Sequence, residues 1–340
     1  MVEPTKELFS VVARPGPLDA RTARDVRDLA ARAASSDGVA PLSEQPLLWL
    51  TSAEAPVVHL VAYDGWANDD APDDAPDDDG GDVRLVGYAQ VDVGTTTTAR
   101  AELVVDPDHR RVGVGRALLS AAHAEAALEP GRRLHVWAHG DLPDARTFSA
   151  ATAMAVVREL WQMRLDLTVP APAPRPLPAG VVVRTFVPGQ DEEAWRRVNS
   201  RAFAHHPEQG RISKADLVAR ESEPWFDPAG FLLAERDGKL LGSVWTKVHP
   251  AGEHGPAPVG EIYVVGVDPD AQGLGLGGAL TDLGLAHLRE RGLTSALLYT
   301  GAENTVAIRT YRSVGFERSA VDVMFGPDTQ GSPAGATMAP

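Results

Sequence analysis

The segment Val264-Val-Gly-Val-Asp-Pro-Asp-Ala-Gln-Gly-Leu-Gly-Leu-Gly-Gly-Ala-Leu280 carries the strongest structural signal in the chain. A second version occurs earlier, as Glu102-Leu-Val-Val-Asp-Pro-Asp-His-Arg-Arg-Val-Gly-Val-Gly-Arg-Ala-Leu-Leu119. In each copy a β-branched run leads through an Asp-Pro turn to an Arg/Gln-x-x-Gly-x-Gly loop, and a helical pattern follows. The duplication predicts two related domains.

The glycine loops point to a diphosphate ligand. Alternate glycines let backbone N–H groups turn inward and let a ligand approach without meeting a Cβ atom. The helix that follows adds its partly positive N-terminus, so loop and helix together suit a diphosphate group. Gln272 opens the second loop, and Arg110 and Arg111 in the first are expected to add charge-assisted bonds to phosphate.

Two other nucleotide motifs fit less well. Gly273-x-Gly275-x-x-Gly278 matches the dinucleotide fingerprint, but several strands precede it, and the strand at 295–300 ends without an acid for a ribose hydroxyl. A P-loop would need Gly-Lys-Ser/Thr, which is absent. A plain strand–turn–helix corner stays open for either loop alone and is less favoured for two loops in matching contexts.

Composition limits the partners. The chain has 340 residues, enough for two cores, and its net charge of −15 argues against nucleic acid or an anionic membrane as the main partner. Cysteine is absent, which excludes disulfides and thiolate metal sites. Neither a secretory signal nor a long apolar run occurs, so a cytoplasmic protein is expected.

The chain divides at a proline-rich segment. Five prolines in residues 168–180 favour an extended spacer between an N-terminal domain at 1–167 and a C-terminal domain at 181–326. The acidic run at 68–82 is expected to be a solvated loop, and residues 327–340 a disordered tail. Patterns along both halves predict an α/β fold. Strands are predicted at 57–63, 83–91, 100–105, 134–138, 181–186, 231–235, 240–247, 261–267, 295–300 and 321–325, and helices at 115–128, 191–203, 277–291 and 304–313.

The loops resemble those of the GNAT superfamily of N-acetyltransferases, as does a second element, Asn304-Thr-Val-Ala-Ile-Arg-Thr-Tyr311-Arg-Ser-Val-Gly315-Phe316. The resemblance implies two tandem domains, each a mixed, mostly antiparallel sheet flanked by helices, and acetyl-CoA bound with its pyrophosphate on the glycine loop. It implies cofactor contacts in both halves. In the second half these are Val265, Gly266, Val267, Gln272, Gly273, Leu274, Gly275, Leu276, Gly277, Gly278, Tyr299, Asn304, Thr305, Val306, Ala307, Ile308 and Arg309. In the first half they are Leu103, Val104, Val105, Arg110, Arg111, Val112, Gly113, Val114, Gly115 and Arg116.

Several short segments resemble the tandem actinobacterial members of that superfamily that complete mycothiol synthesis. They lie at 37–41, 43–45, 206–210, 245–250 and 261–269. This resemblance implies acetylation of the cysteinyl amine of cysteinyl-glucosaminyl-inositol, with substrate contacts from Glu44, Glu208, Lys247 and Glu261. Because Glu44 belongs to the first half, the substrate would lie where the domains meet. A monomer without metal is expected, since His205 and His206 lack a third ligand at suitable spacing.

The second half is predicted to do the chemistry. Aligning Asp106 with Asp268 sets Ala99 against Glu261 and Glu102 against Val264, on the opposite face of a regular strand. The first half also lacks a tyrosine at the position of Tyr311. We therefore predict Glu261 as general base and Tyr311 as general acid, with the N–H groups of residues 265–267 as an oxyanion hole.

Bland interpretations remain for both residues. Glu261 could be a strand-end charge and Tyr311 a core aromatic. The first domain either holds acetyl-CoA without turnover, which we favour, or only buttresses the second. Two other functions stay open: acetylation of another small amine, and acetyl-CoA binding without catalysis.

Overall fold

A computed structural model describes residues 9–64, 84–170, 173–204 and 209–327. The predicted acidic loop and all but the first residue of the predicted tail lie outside these ranges. The strands are β1 (Phe9–Pro15), β2 (Val57–Asp64), β3 (Arg84–Asp92), β4 (Thr98–Val105), β5 (Arg133–Ala138), β6 (Met154–Asp166), β7 (Val182–Thr185), β8 (Phe231–Arg236), β9 (Lys239–His249), β10 (Val259–Val267), β11 (Ser295–Gly301) and β12 (Glu317–Pro327). The α-helices are α1 (Ala20–Asp37), α2 (Glu44–Trp49), α3 (Val114–Ala127), α4 (Pro143–Ala150), α5 (Glu192–Ala202), α6 (Lys214–Glu221), α7 (Leu276–Glu290) and α8 (Thr305–Val314).

The chain forms two compact units. The first unit comprises Met1–Glu159 and Val321–Pro340, and the second comprises Leu160–Ala320. These limits differ from the predicted boundary in the proline-rich segment, because strands β6 and β12 each run past the end of a unit. Strand β6 was not predicted, and only residues 321–325 of β12 were, so the sequence pattern could not place these limits.

The first unit is built on a mixed sheet. Strands β1 to β4 pair antiparallel in chain order, β5 pairs parallel to β4, and β12 pairs antiparallel to β5 through Val323–Phe325. Helix α3 covers one face of the sheet through Leu118 and Ala122, and helix α1 covers the other through Val26 and Leu29. The predicted mixed, mostly antiparallel sheet is confirmed here.

The second unit repeats this topology. Strands β7 to β10 pair antiparallel in chain order, β11 pairs parallel to β10, and the end of β6 pairs antiparallel to β11. Leu280 and Leu288 of α7 pack with Ile262 on one face. On the other face, Trp195 of α5 packs with Trp245 of β9. Two cores thus flank the strand that leads into the glycine loop.

The end of the proline-rich segment is anchored rather than a free spacer. The Arg175 guanidinium donates to Asp282 of α7 at 2.6 and 2.8 Å, and the Arg175 backbone N–H donates to the same carboxylate at 2.9 Å. Bidentate guanidinium–carboxylate pairs hold a fixed geometry. Residues near Arg175 are therefore tied to the second unit.

A buried ion cluster ties the returning strand β12 into the first unit. His139, just after β5, lies 3.3 Å from Asp322 of β12 through Nδ1 and 3.3 Å from Glu102 of β4 through Nε2. The Asp322 carboxylate also accepts from the backbone N–H of Gly140 at 2.8 Å. Burial opposes a charge on His139, but the two carboxylates outweigh it and raise the pKa of the imidazole to about 10.

Asp322→Asn is expected to destabilise the protein by about 3 kcal/mol at neutral pH, because it removes one partner of a buried charge. His139 releases its proton near pH 6.5 when unfolded and near pH 10 when folded. The stabilisation is therefore complete below about pH 6.5 and lost as the pH rises through about 10. The midpoint of urea unfolding, measured at about pH 7 and about pH 10, should fall more with pH in the wild type than in the variant.

Asp270→Asn is the matched control, because that carboxylate is 83% exposed and pairs with Arg201 at the surface. An exposed pair contributes at most about 1 kcal/mol. Equal pH dependence in the wild type and Asp322→Asn would contradict the assigned role of the cluster.

Among the described residues, none of the helices is both long and apolar enough to cross a membrane.

Candidate active site

The second unit opens where two parallel strands separate. The ladder between β10 and β11 consists of two pairs, Gly260 with Ala296 and Glu261 with Leu297. Beyond Glu261, the edge of β10 that faces β11 has no ladder partner among the described residues. Both strands run on to this side and lead into α7 and α8, so two helix N-termini lie at one edge of the sheet. Such an edge is a usual place for a phosphate-bearing ligand.

The predicted loop glycines have the geometry that a diphosphate needs. Gly273 and Gly275 adopt left-handed backbone conformations, with φ of +80° and +78°. A Cβ atom at either position would meet nothing within 4 Å, so the space beside the loop is open. Gly275 precedes the first residue of α7, whose early N–H groups lack intrahelical partners. The residues present therefore fit the pyrophosphate of acetyl-CoA.

Gly278, a predicted cofactor contact, also has a structural reason to be glycine. A Cβ atom there would collide with the Arg175 guanidinium, which lies against this turn of α7. Glycine at 278 therefore makes room for the anchored segment. Gly277, in contrast, would place a Cβ at an ordinary 3.5 Å from Val267.

The predicted contacts on α8 are mostly accessible. The Asn304 side chain accepts from the backbone N–H of Ala307 at 3.1 Å and so caps the helix, and Thr305, Val306 and Arg309 are exposed. Ile308 is buried in the core, which leaves its backbone as the part a cofactor can reach. Tyr299, on β11, accepts a hydrogen bond from the Gln162 amide at 2.9 Å.

A β-bulge shapes the strand that carries Glu261. The pairing between β9 and β10 shifts between Ile262 and Val264, which leaves Tyr263 as the extra residue. Glu261 pairs with Lys247, and Val264 pairs with Trp245. Because Lys247 and Trp245 are two residues apart on β9, Glu261 and Val264 lie on the same face of the sheet.

The bulge corrects the predicted alignment of the two halves. Val105 pairs with Gly87 and Val267 pairs with Gly242, and five residues further along β3 and β9 lie Asp92 and Lys247. Asp92 pairs with Arg100, whereas Lys247 pairs with Glu261. Arg100, rather than Ala99, is therefore the counterpart of Glu261. The first unit has a cation where the second has a carboxylate, so the charges of this cross-strand pair are reversed.

The argument that set Glu102 on the opposite face was wrong for the same reason. Glu102 occupies the position of Val264, which shares a face with Glu261 once the bulge is counted. Its carboxylate is already engaged by Ser43, whose backbone N–H donates at 2.6 Å and whose hydroxyl donates at 2.7 Å. It also belongs to the His139 cluster, so Glu102 has a structural role in the first unit.

The structure also reveals a counterpart of Tyr311 that the prediction missed. Helix α4 follows β5 as α8 follows β11, and Arg146-Thr147-Phe148 repeats Arg309-Thr310-Tyr311. The ring of Phe148 lies 3.7 Å from a Cβ built on Gly115, so it borders the first glycine loop. A search for aromatic residues, rather than for tyrosine alone, would have found it. The first unit retains the ring but not the hydroxyl.

Tyr311 itself lies half-buried at the edge of the second core. Its ring contacts Phe316 edge-on, with the ring centres 5.9 Å apart. Burial raises the pKa of the phenol to about 12. The phenol therefore holds its proton throughout the neutral range, as a proton donor must.

The first glycine loop differs in its cations. The Arg110 guanidinium makes two hydrogen bonds of 2.8 Å to Asp37, so it is neutralised within the protein rather than held ready for phosphate. Arg111 is exposed and adopts a left-handed φ of 68°, where the second loop has Gly273. Gly113 precedes α3, as Gly275 precedes α7. The first glycine loop thus has the same turn before its helix as the second loop but different side chains.

A buried histidine adjoins Glu261. His249 Nε2 lies 2.6 Å from Glu261 Oε2, and His249 Nδ1 lies 2.9 Å from Glu253 Oε2. Burial lowers the pKa of His249, but the hydrogen bond and charge of Glu261 and the hydrogen bond of Glu253 outweigh it and raise the pKa above its usual value. His254 contacts the His249 ring edge-on, and the ligand-type atoms of His249, Glu253 and His254 lie within 4.8 Å of one another.

The predicted substrate residues are placed as follows. Lys247 and Glu261 form a cross-strand pair, and the Lys247 ammonium lies 4.5 Å from the centre of the Trp225 ring and 5.5 Å from that of Tyr263. Glu44 is the first residue of α2 in the first unit. Glu208 lies outside the described residues. Lys247 and Glu261 are therefore the two members of this set that the structure brings together.

Family models match both halves of the chain. The model of the acetyltransferase (GNAT) family matches residues 194–316, and that of the acetyltransferase (GNAT) domain matches residues 74–152. Among solved structures, a tandem GNAT protein from the clavulanic acid biosynthesis pathway is similar with a TM-score of 0.64 at 21% identity, covering 94% of this chain and 98% of the other. Both findings confirm the predicted tandem fold.

Curated relatives are similar over nearly the full length. The mycothiol acetyltransferase of Cellulomonas flavigena is 65% identical, over 96% of this chain and 92% of its own. That of Sanguibacter keddieii is 55% identical, over 90% of this chain and 93% of its own. The chain therefore belongs to the mycothiol acetyltransferase family.

Proposed function

We propose that the second unit transfers the acetyl group of acetyl-CoA to the cysteinyl amine of cysteinyl-glucosaminyl-inositol, the last step of mycothiol synthesis. One observation carries the proposal. Glu261 is buried, on the last pair of the ladder, at the point where β10 and β11 separate beside the starts of α7 and α8. The names of the relatives support the choice of acceptor.

Glu261 acts as the general base. An α-amine is largely protonated near neutral pH, and attack on a thioester carbonyl needs its free lone pair. Glu261 takes a proton from the substrate ammonium, directly or through one water. The amine nitrogen then bonds to the acetyl carbon, and the bond from that carbon to sulfur breaks.

Tyr311 acts as the general acid. Its phenol, protonated at neutral pH, donates a proton to the departing thiolate of coenzyme A. Bound acetyl-CoA supplies the activated acyl group, and the N–H groups of Val265 and Val267, which point away from β9 toward the open edge, polarise its carbonyl. The N–H of Gly266 points toward β9, as does that of Asp268, which donates to Leu241, so Gly266 is not part of this oxyanion hole. In becoming an amide, the ammonium loses two protons. One is balanced by the proton on the released thiol of coenzyme A, and the other passes to solvent.

The first unit does not catalyse. Arg100 replaces the base and Phe148 replaces the acid, so neither proton transfer can take place there. Its turn before α3 keeps the conformation of a phosphate loop, which supports acetyl-CoA binding through Leu103–Val105 and Arg111–Arg116. Arg110 contributes less, because Asp37 neutralises it.

The acceptor is held by charged groups beside the base. Lys247 stands across from Glu261 on the aromatic surface of Trp225 and Tyr263, where hydroxyl oxygens of the substrate can accept from its ammonium. Glu44 and Glu208 complete the proposed set as acceptors for substrate hydroxyls.

Mass spectrometry tests the function directly. Incubation of the protein with acetyl-CoA and cysteinyl-glucosaminyl-inositol should increase the mass of the acceptor by one acetyl group, attached to nitrogen, and release free coenzyme A. An aminoglycoside and a simple primary amine serve as control acceptors. Preferential acetylation of either control, or no acetylation of any acceptor, would overturn the proposal.

A further inference from the structure

The buried position of Glu261 raises a problem that the proposed function leaves open. A carboxylate removed from water needs hydrogen-bond donors in place of the lost solvent. Glu261 is 5% exposed. A neighbouring group must therefore replace the lost water at one carboxylate oxygen and leave the other oxygen for the substrate.

His249 has the geometry for this role. Its Nε2 is 2.6 Å from Glu261 Oε2, a distance typical of a charge-assisted hydrogen bond. Among the described residues, Oε2 is the oxygen of Glu261 that has a hydrogen-bond partner, so Oε1 is left for the substrate ammonium. His249 ends β9 and Glu261 is the third residue of β10, so both atoms are held by neighbouring strands.

Glu253 completes the arrangement from the other side. It accepts from His249 Nδ1 at 2.9 Å, and its carboxylate is 54% exposed to solvent. With both ring nitrogens bonded to carboxylates, the imidazole is fixed in orientation and favoured as the cation. Glu253 thus links the buried pair to the surface.

We infer that His249 is a positioning residue that keeps Glu261 ionised and aims its Oε1 at the substrate amine, with Glu253 holding the imidazole in its cationic form. The inference rests on the proposed function of Glu261.

The other charged groups near His249 include one that opposes its cationic form: the charge of Lys247 lowers the pKa of His249, and the contacts with the two carboxylates outweigh it. Lys247 adds a positive charge from β9, and His254 contacts the ring from the loop that follows it. Burial lowers the pKa of His254, and the charge of His249 lowers it further. Arg164 of β6 donates to the backbone carbonyl of His254 at 2.9 Å and thereby fixes the loop. His249 is the group of this set that bonds the base directly.

The test is the pH profile of kcat with acetyl-CoA and cysteinyl-glucosaminyl-inositol. In His249→Gln the side chain can still donate a hydrogen bond to Glu261, but the positive charge of the imidazolium is lost. The acidic limb of the kcat profile should therefore move to higher pH by about one pH unit or more. At alkaline pH, where Glu261 ionises without help, the deficit should shrink. Glu253→Gln should shift the limb in the same direction by a smaller amount.

His249→Ala provides a rescue experiment. Added imidazole should restore kcat at acidic pH, because it can occupy the vacated space as a cation. His287→Gln is the matched control, since His287 of α7 also borders a carboxylate, Asp227 at 3.9 Å, on the other face of the sheet. Its profile should coincide with that of the wild type.

An acidic limb in His249→Gln that coincides with the wild type would overturn the inference. So would a loss in His249→Ala that is equal at every pH and insensitive to imidazole, since a purely structural role predicts that result. Glu261→Gln is measured in parallel. If that variant retains wild-type turnover, the assigned base is wrong, a failure that is distinguishable from failure of the His249 inference alone.

Discussion

Mycothiol formation by the Glu261→Gln variant is expected to fall by about 10²- to 10⁴-fold in kcat near neutral pH, the usual contribution of a positioned general base. Glutamine keeps the size of the side chain and its acceptor oxygen for His249 but cannot take a proton. Affinity for acetyl-CoA should not change, because the proposed pyrophosphate contacts lie on the glycine loop after β10. Steady-state kinetics measures the fall in kcat, and calorimetric titration with acetyl-CoA measures the affinity.

Glu290→Gln is the matched control for this variant, since Glu290 is exposed at the last residue of α7. Its turnover should equal that of the wild type. A higher pH should recover part of the activity of Glu261→Gln, because more of the substrate amine is then already unprotonated. Unchanged kcat in Glu261→Gln at neutral pH would remove the assignment.

Tyr311→Phe is expected to lower kcat by about 10²-fold, because the thiolate must then depart without a proton donor. The substitution removes one oxygen and keeps the ring that packs beside Phe316. The protein should therefore fold and bind acetyl-CoA normally. The equivalent position of the first unit already has a phenylalanine, Phe148, so this site of the fold accommodates the substitution.

The pH dependence of the wild type offers a further check on Tyr311. Burial raises the pKa of its phenol to about 12, so this group should cause no loss of kcat on the alkaline side up to about pH 10. Tyr63→Phe, on β2 of the first unit, serves as the control substitution. A Tyr311→Phe chain with full turnover would show that the thiolate leaves unaided.

The repeated loop and strand patterns predicted most of the fold. The predicted helix at 277–291 is α7, Leu276–Glu290, and the predicted strand at 261–267 is β10, which begins two residues earlier. Both have strong local signals: leucines at helical spacing in one and β-branched residues in the other. Helices α1, α2, α4 and α6 and strands β1 and β6 were missed. The buried face of α1 does recur at helical spacing, but three of its five residues are alanines, which are a weak hydrophobic signal, and α2 is only six residues long.

The detailed register could not be predicted, because it depends on packing across strands. Nothing in the sequence around Tyr263 identifies it as a bulged residue. Because the second unit has this extra residue and the first does not, Glu261, which pairs with Lys247, corresponds to Arg100, which pairs with Asp92. Likewise, the hydrogen bond from His249 to Glu261 joins residues 12 apart in sequence through a loop of no recognisable motif. Aligning two copies by a shared Asp-Pro turn locates a site but not its exact partners.

Acetyl transfer is expected to take place in the second unit alone. The most direct measurement is the rate of mycothiol formation by a chain that carries both Glu261→Gln and Tyr311→Phe and leaves the first unit unaltered. That double variant should bind acetyl-CoA without significant turnover. Turnover near the wild-type rate in that double variant would contradict the account, because the chemistry would then have to lie elsewhere in the chain.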